Sequence, residues 1–183
     1  MIVGKNTKLV AFEPEHWVYI HQWMSDDYYK FYFRNIPDNL TVAQMAEFPK
    51  ILGMNVLMIA NENNEIIGMA TWDNVRLLAR QCCIGFIIDK QFKGMGFAKD
   101  AFMNFIYYLT HRLGLHKLIA KVAKDEVETV NKTVYGGFKD QVVMREEFFM
   151  DGKWHDEIWL TVLDTEVAEV YNKYKNGELK RGE

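Results

Sequence analysis

Two glycines two positions apart, Gly94 and Gly96, stand between an apolar run, Cys82 to Ile88, and an amphipathic segment that starts near Ala98. Glycine has no Cβ, so the backbone can turn tightly there and let a ligand approach its N–H groups. The first turn of a helix after such a loop adds unpaired amide donors and the positive end of the macrodipole, which together suit a phosphate. The chemistry on offer is therefore capture of a phosphorylated cofactor by backbone amides. A dinucleotide fingerprint would place glycine or alanine where Lys99 stands, and the Gly-Lys-Ser/Thr of a Walker loop is missing.

Side chains able to move protons are scattered. Asp73, Glu126, Glu146 and Glu147 are acid/base candidates; singly each reads more readily as a solvated carboxylate, and together they would suit a cationic amine. His111, His116 and His155 read as a helix C-terminal charge, a loop residue and a hairpin surface residue. Cys82 and Cys83 are adjacent in an apolar strand, poorly placed to bridge each other and expected to be reduced. No histidine or cysteine spacing suggests a metal site.

These residues need elements to hold them. Lys8 to Phe12 reads as a strand, followed by a helix entered at Pro14 with Trp17, Ile20 and Met24 on one side. Asp26 to Arg34 is crowded with aromatics and has no clean period, which suits a loop that lines a pocket or a helix packed on it, and more simply aromatic packing under a loop. Thr41 and Gln44 form a capping box for a helix through Val42, Met45, Phe48 and Leu52 to Gly53. Asn55 to Ala60 and Ile66 to Trp72 make a hairpin, and Cys82 to Ile88 is the next strand. A helix from Ala98 to Leu113 carries Ala98, Ala101, Phe102, Phe105 and Leu109 on one face and stops at Gly114. Leu118 to Val122 is a strand expected to run parallel to its neighbour. A helix spans about Glu126 to Tyr135, and Gln141 to Met150 and Glu157 to Leu163 flank a hairpin turn at Asp151 and Gly152. The charged tail after Tyr174 is expected to fray.

The order describes an α+β fold: a mixed, mostly antiparallel sheet of about seven strands with helices on both faces. With 183 residues, 49% of them hydrophobic and 14% aromatic, the chain is expected to form one domain over 1–183. A net charge of -3 and a pI near 6.0 provide no basic field for nucleic acid. The absence of a signal-like segment and of a long apolar run leads us to expect a cytoplasmic protein away from the membrane. A homodimer is open to such a chain.

With that order established, Gln91, Gly94 and Gly96 spell Q-x-x-G-x-G, and the chain from about residue 8 to 163 resembles the GNAT acetyltransferases. The segment LHKLIAKVAKDE, the later GGF at Gly136 to Phe138 and EEFFMDGKWHDE from Glu146 are similar to the spermidine and ribosomal-protein N-terminal acetyltransferase branch. The resemblance implies direct acetyl transfer from acetyl-CoA to a primary amine, of a small polyamine-like molecule or of a protein N-terminus. It assigns the pyrophosphate to Gln91, Lys93, Gly94, Met95, Gly96, Phe97, Ala98 and Lys99, and the pantetheine arm to the main chain of Phe86, Ile87 and Ile88. An N–H near Ile87 or Ile88 would polarise the thioester carbonyl. The chain also departs from the family. The position of the usual thiolate-protonating tyrosine is Thr133, that of the usual asparagine is Glu126, and Cys83 stands where many relatives have a base-ordering glutamate. Tyr135, about 200° further round an ideal helix than Thr133, is the remaining candidate acid. These departures keep open an acyl-CoA-binding module without turnover, or a structural domain that retains only the fold.

Overall fold

Alternate burial makes Thr7–Ala11 a strand: Thr7 and Leu9 point inward while Lys8 and Val10 are half covered. In the computed structural model, which describes residues 1–37, 40–47 and 53–179, this strand is β2. A short β1, Ile2–Val3, pairs back on it. β3, Asn55–Asn61, and β4, Ile66–Arg76, form the expected hairpin. Its turn is held by the Asn61 Oδ1 atom, which accepts from the N–H groups of Asn63 and Glu65 at 3.0 Å each. β5, Gln81–Ile88, leads to the loop, and β6 is Lys117–Ala123. β7, Lys139–Met150, and β8, Lys153–Leu163, complete the eight strands among the described residues.

The helices are α1, Trp17–Met24, entered through a single 3-10 turn at Pro14–His16; α2, Lys30–Phe33; α3, Val42–Met45; α4, Phe97–Tyr107; α5, Val127–Tyr135; and α6, Asp164–Lys175. None among the described residues is long and apolar enough to cross a membrane.

The chain divides into two compact units, Met1–Asn74 with Gly85–Phe102, and Val75–Ile84 with the chain from Met103 onward. In the first, β1, β2 and β3 pair antiparallel in sequence, β3 pairs β4, and the end of β5 follows β4. Its core gathers Ile20, Trp23, Tyr29, Phe33, Met58, Met69 and Ile87. In the second, the start of β5 pairs in parallel with β6, Cys83 opposite Ile119, as expected. β6 pairs antiparallel with β8, and β8 with β7, so β7 follows β8 in the order. Leu118, Phe138, Leu160, Val162 and Val167 are among its fully buried side chains.

Several boundaries move. The helix expected over 98–113 is α-helical to Tyr107, then widens to a π-turn over Tyr108–Arg112. There Thr110 Oγ1 donates to the Ile106 carbonyl at 2.9 Å, a side-chain bond that competes with the ladder. Gly114, at φ 70°, ends the segment as expected. β8 starts at Lys153 rather than Glu157, directly after Asp151 and Gly152, both at positive φ in a tight turn. α6 was not anticipated, although Val167, Val170, Tyr171 and Tyr174 carry a helical spacing and Glu166 accepts from the Leu163 N–H at 2.9 Å. The expected continuation of α3 through Phe48 and Leu52 lies outside the described residues.

One carboxylate binds the start of the chain to α4. Asp100, 4% exposed, accepts from the N–H groups of Lys5 and Asn6 at 2.9 Å each and from the Thr7 hydroxyl at 2.6 Å. Replacement by alanine orphans three donors, of which Thr7 is buried. Asp100→Ala should cost about 3 kcal/mol, a Tm fall of roughly 6–12 °C for a chain of this size. Thermal melts check it, and a Tm within 2 °C or so of wild type would contradict the assigned anchor.

Candidate active site

β5, the loop and α4 follow one another around Gly94 and Gly96 in the order strand, turn, helix. β5 ends at Ile88, and the next N–H, of Asp89, returns to the Ile67 carbonyl at 2.7 Å. The Asp89 side chain then starts a 3-10 turn over Lys90–Phe92, its Oδ1 accepting from the Gln91 N–H at 3.0 Å. Gly94 and Gly96 follow at φ 85° and 87°, the left-handed region closed to most side chains. A Cβ at either would meet nothing within 4 Å, so open space lies beside both residues. Phe92 and Phe97 close the loop edge to face at 6.2 Å, and α4 begins at Phe97 with the unpaired amides of its first turn. Gln91, Lys93, Gly94, Met95, Gly96 and Ala98 are exposed and Phe97 and Lys99 half-buried. An exposed loop at positive φ, open on its glycine side and ending in a helix N-terminus, fits a pyrophosphate.

Beneath the loop, β5 lies unusually close to its neighbours. A Cβ on Gly68 would stand 2.3 Å from the Ile87 carbonyl oxygen. A Cβ on Gly85 would stand 2.6 Å from Thr71 Oγ1 and 2.7 Å from the Tyr32 hydroxyl. Those two oxygens hydrogen-bond each other at 2.9 Å, and burial pushes the Tyr32 phenol well above its usual value, with the Asp73 charge acting in the same sense. The pair was not anticipated. Its signal was Gly85 itself, a glycine inside a strand, which marks close approach. Phe86 packs edge to face on Phe102 at 5.2 Å, Ile87 is buried and Ile88 half-buried. The parallel ladder to β6 covers Gln81–Ile84, so Phe86–Ile88 lie past its end.

Glu126, Thr133 and Tyr135 fall in the second unit. Glu126 is half-buried at the N-cap of α5, its backbone N–H donating to Ala123 at 2.9 Å. Thr133 is buried and its hydroxyl donates to the Thr129 carbonyl at 2.8 Å. Tyr135 is the last residue of α5, and its hydroxyl donates to the Leu179 carbonyl at 3.0 Å. Cys82 and Cys83 are buried and not joined in a disulfide. Asp73 is half-buried, and Glu146 and Glu147 are exposed. Glu146 sits at φ 50° where β7 bulges against β8.

His155 corrects the surface reading. It is 4% exposed, stacked on Phe148 at 5.1 Å, with Nδ1 2.8 Å from Asp125 Oδ2 and Nε2 3.2 Å from the Met150 carbonyl. That contact, first among the causes, holds the Asp125 carboxyl below its usual range. β8 starts earlier than expected and therefore carries His155 within the strand, facing inward. Among the described residues no group of three metal-ligating side chains comes together.

A sequence profile described as the Acetyltransferase (GNAT) domain matches residues 6–132. A spermidine N(1)-acetyltransferase from Vibrio cholerae is 25% identical over 99 residues, 54% of this chain and 57% of that protein. A probable N-acetyltransferase from Bacillus subtilis, YjcK, is 23% identical over 108 residues, 59% of this chain and 60% of that protein. Each match thus spans less than two thirds of the relative's length. The structure of the Vibrio cholerae spermidine N-acetyltransferase in complex with CoA and spermine superposes with a TM-score of 0.81 at 20% identity, covering 89% of this chain and 98% of that one. At that identity the superposition speaks for the fold.

The two kinds of glycine should separate in thermal melts. Gly85→Ala forces Tyr32 and Thr71 aside and should cost about 1–3 kcal/mol through overpacking. Gly94→Ala meets open space and strains the backbone alone, by about 1–2 kcal/mol in an exposed loop. A larger Tm loss for Gly94→Ala than for Gly85→Ala would contradict the close approach at β5.

Proposed function

The chain belongs to the GNAT acetyltransferase family, and from that premise we propose that it is an acetyl-CoA-dependent N-acetyltransferase acting on a primary amine. The observation that carries this reading is the loop at Gly94 and Gly96, at positive φ and open beside both glycines, running into the N-terminus of α4. The acceptor we propose is a polyamine-like molecule or a protein N-terminus; the names of the spermidine-acetylating relatives support the first.

Acetyl-CoA, when bound, supplies an acetyl group activated as a thioester. The chain's part is mostly positioning, which can contribute several kcal/mol to lowering a two-reactant barrier. Gln91 and the backbone from Lys93 through Gly94, Met95, Gly96, Phe97 and Ala98 to Lys99 would bind the pyrophosphate. The main chain of Phe86, Ile87 and Ile88 would align the pantetheine arm, and the N–H of Ile87 or Ile88 would donate to the thioester carbonyl oxygen. An amine is protonated at neutral pH and must lose a proton before it attacks, while the departing sulfur must gain one. Glu126 is our candidate acceptor of the first proton, and Tyr135, with Thr133 as substitute, our candidate donor of the second.

One observation favours a second reading, an acyl-CoA-binding module without turnover. Both hydroxyls already donate to main-chain carbonyls, Tyr135 to Leu179 and Thr133 to Thr129, so each must leave a hydrogen bond before it can give up a proton. For assembly we propose a homodimer, and for location the cytoplasm.

Calorimetric titration with acetyl-CoA, followed by assay of released thiol with spermidine, spermine and peptide N-termini, tests both readings. Binding with turnover is expected; binding without thiol release would select the second reading, and no binding at millimolar acetyl-CoA would remove both. Tyr135→Phe should lower kcat on the order of 100-fold with KM little changed if the phenol protonates the sulfur. An unchanged kcat would dismiss Tyr135.

A further inference from the structure

The loop does not set its own shape. Asp26–Tyr29, four residues at the end of the first helical region, hold the residues that enter the loop. The Tyr29 hydroxyl accepts from the Lys90 N–H at 2.6 Å and points its proton toward Asp89 Oδ1 at 3.5 Å. The Asp26 carboxylate pairs with the Lys90 ammonium. The Lys93 ammonium lies over the Tyr28 ring, 5.8 Å from its centre. From just ahead of this segment, the Trp23 indole N–H donates to Asp89 Oδ2 at 2.9 Å. Positions 23, 26, 28 and 29 thus take hold of 89, 90 and 93.

The chemistry of Asp89 says what this arrangement is for. A carboxylate just before an anion-binding loop would oppose the ligand if its charge faced the loop. Here both oxygens are occupied by donors: the Gln91 N–H and Tyr29 hydroxyl on one, the Trp23 indole on the other. Asp89 therefore serves as an acceptor that fixes a turn. Tyr29 is buried with Trp23 in the apolar cluster that includes Ile87, so the anchor is packed as well as bonded. Burial, ahead of the Asp89 and Asp26 charges, pushes the Tyr29 phenol up to about 12, so it keeps its proton throughout the physiological range.

We propose that Tyr29 and Asp89 are positioning residues for the cofactor loop, the Tyr29 hydroxyl setting, through the Lys90 N–H, the turn that presents Gly94 and Gly96 to a phosphate. The inference rests on the cofactor reading above. It makes the aromatic segment part of the anion site, although no residue of that segment need touch the ligand.

Tyr29→Phe tests it, because the ring and its packing remain while the acceptor for Lys90 is removed. Asp89→Asn is the second variant, keeping size and polarity while replacing one acceptor oxygen with a donor. Two readouts are used: amide hydrogen exchange of 90–93 in the ligand-free protein, and the Kd for CoA by calorimetry. The expected result for each variant is exchange at least about 10-fold faster over 90–93 with the amides of β3 and β4 unchanged, and CoA binding at least about 5-fold weaker. Unchanged exchange at Lys90, or faster exchange with unchanged CoA affinity, would overturn the proposal while leaving the cofactor reading intact. Wild-type protein that fails to bind CoA at millimolar concentration would overturn both.

Discussion

A carboxylate withdrawn from water must find donors, and in the first unit two aspartates, Asp100 buried and Asp89 half-buried, meet that demand by gathering segments distant in sequence. Asp89 collects an indole, a phenol and a backbone amide; Asp100 collects two amides and a hydroxyl. They stand at the two ends of the glycine loop, one before the 3-10 turn and one in the first turns of α4. The loop between them is held from outside at Lys90 and Lys93 and closed by Phe92 against Phe97, so no side chain is asked of Gly94 and Gly96. It can therefore stay exposed and glycine-rich, which an anion seeking bare amides requires.

The second constraint is steric. β5 leaves no room for a Cβ at Gly85 and crowds the missing Cβ of Gly68 with a carbonyl, so it is pressed closely onto Thr71 of β4 and Tyr32 of α2. Tight approach on one side and a ladder to β6 that stops at Ile84 on the other distinguish the last residues of β5 from an ordinary central strand. The Tyr32–Thr71 pair remains neutral and fixed beside this stretch.

Much of this could be read from residue types, because the relevant signals are local. Glycines needing positive φ, a capping box at Thr41 and Gln44, the Asp151–Gly152 turn and the stop at Gly114 each involve a few neighbouring residues, and the fold carries all of them. What escaped was of two kinds. α6 had a legible period, Val167 to Tyr174, but its apolar side chains are spaced among charged ones between the last strand and the charged tail. His155, the Tyr29–Asp89 contact and the Asp100 anchor depend on pairs separated by 30, 60 and more than 90 positions, for which the chain carries no adjacent sign. Candidate acid/base residues belong to this second kind: Thr133 and Tyr135 are named through the family resemblance, whereas the carbonyls to which their hydroxyls donate appear only after folding.

Both ends of the described chain are tied to elements far from them in sequence. Lys5, Asn6 and Thr7 complete the shell of Asp100 in α4, and the Leu179 carbonyl accepts from the Tyr135 hydroxyl at the end of α5. Tension on the first residues therefore loads α4, and tension near Leu179 loads α5, each through hydrogen bonds rather than through the backbone in between.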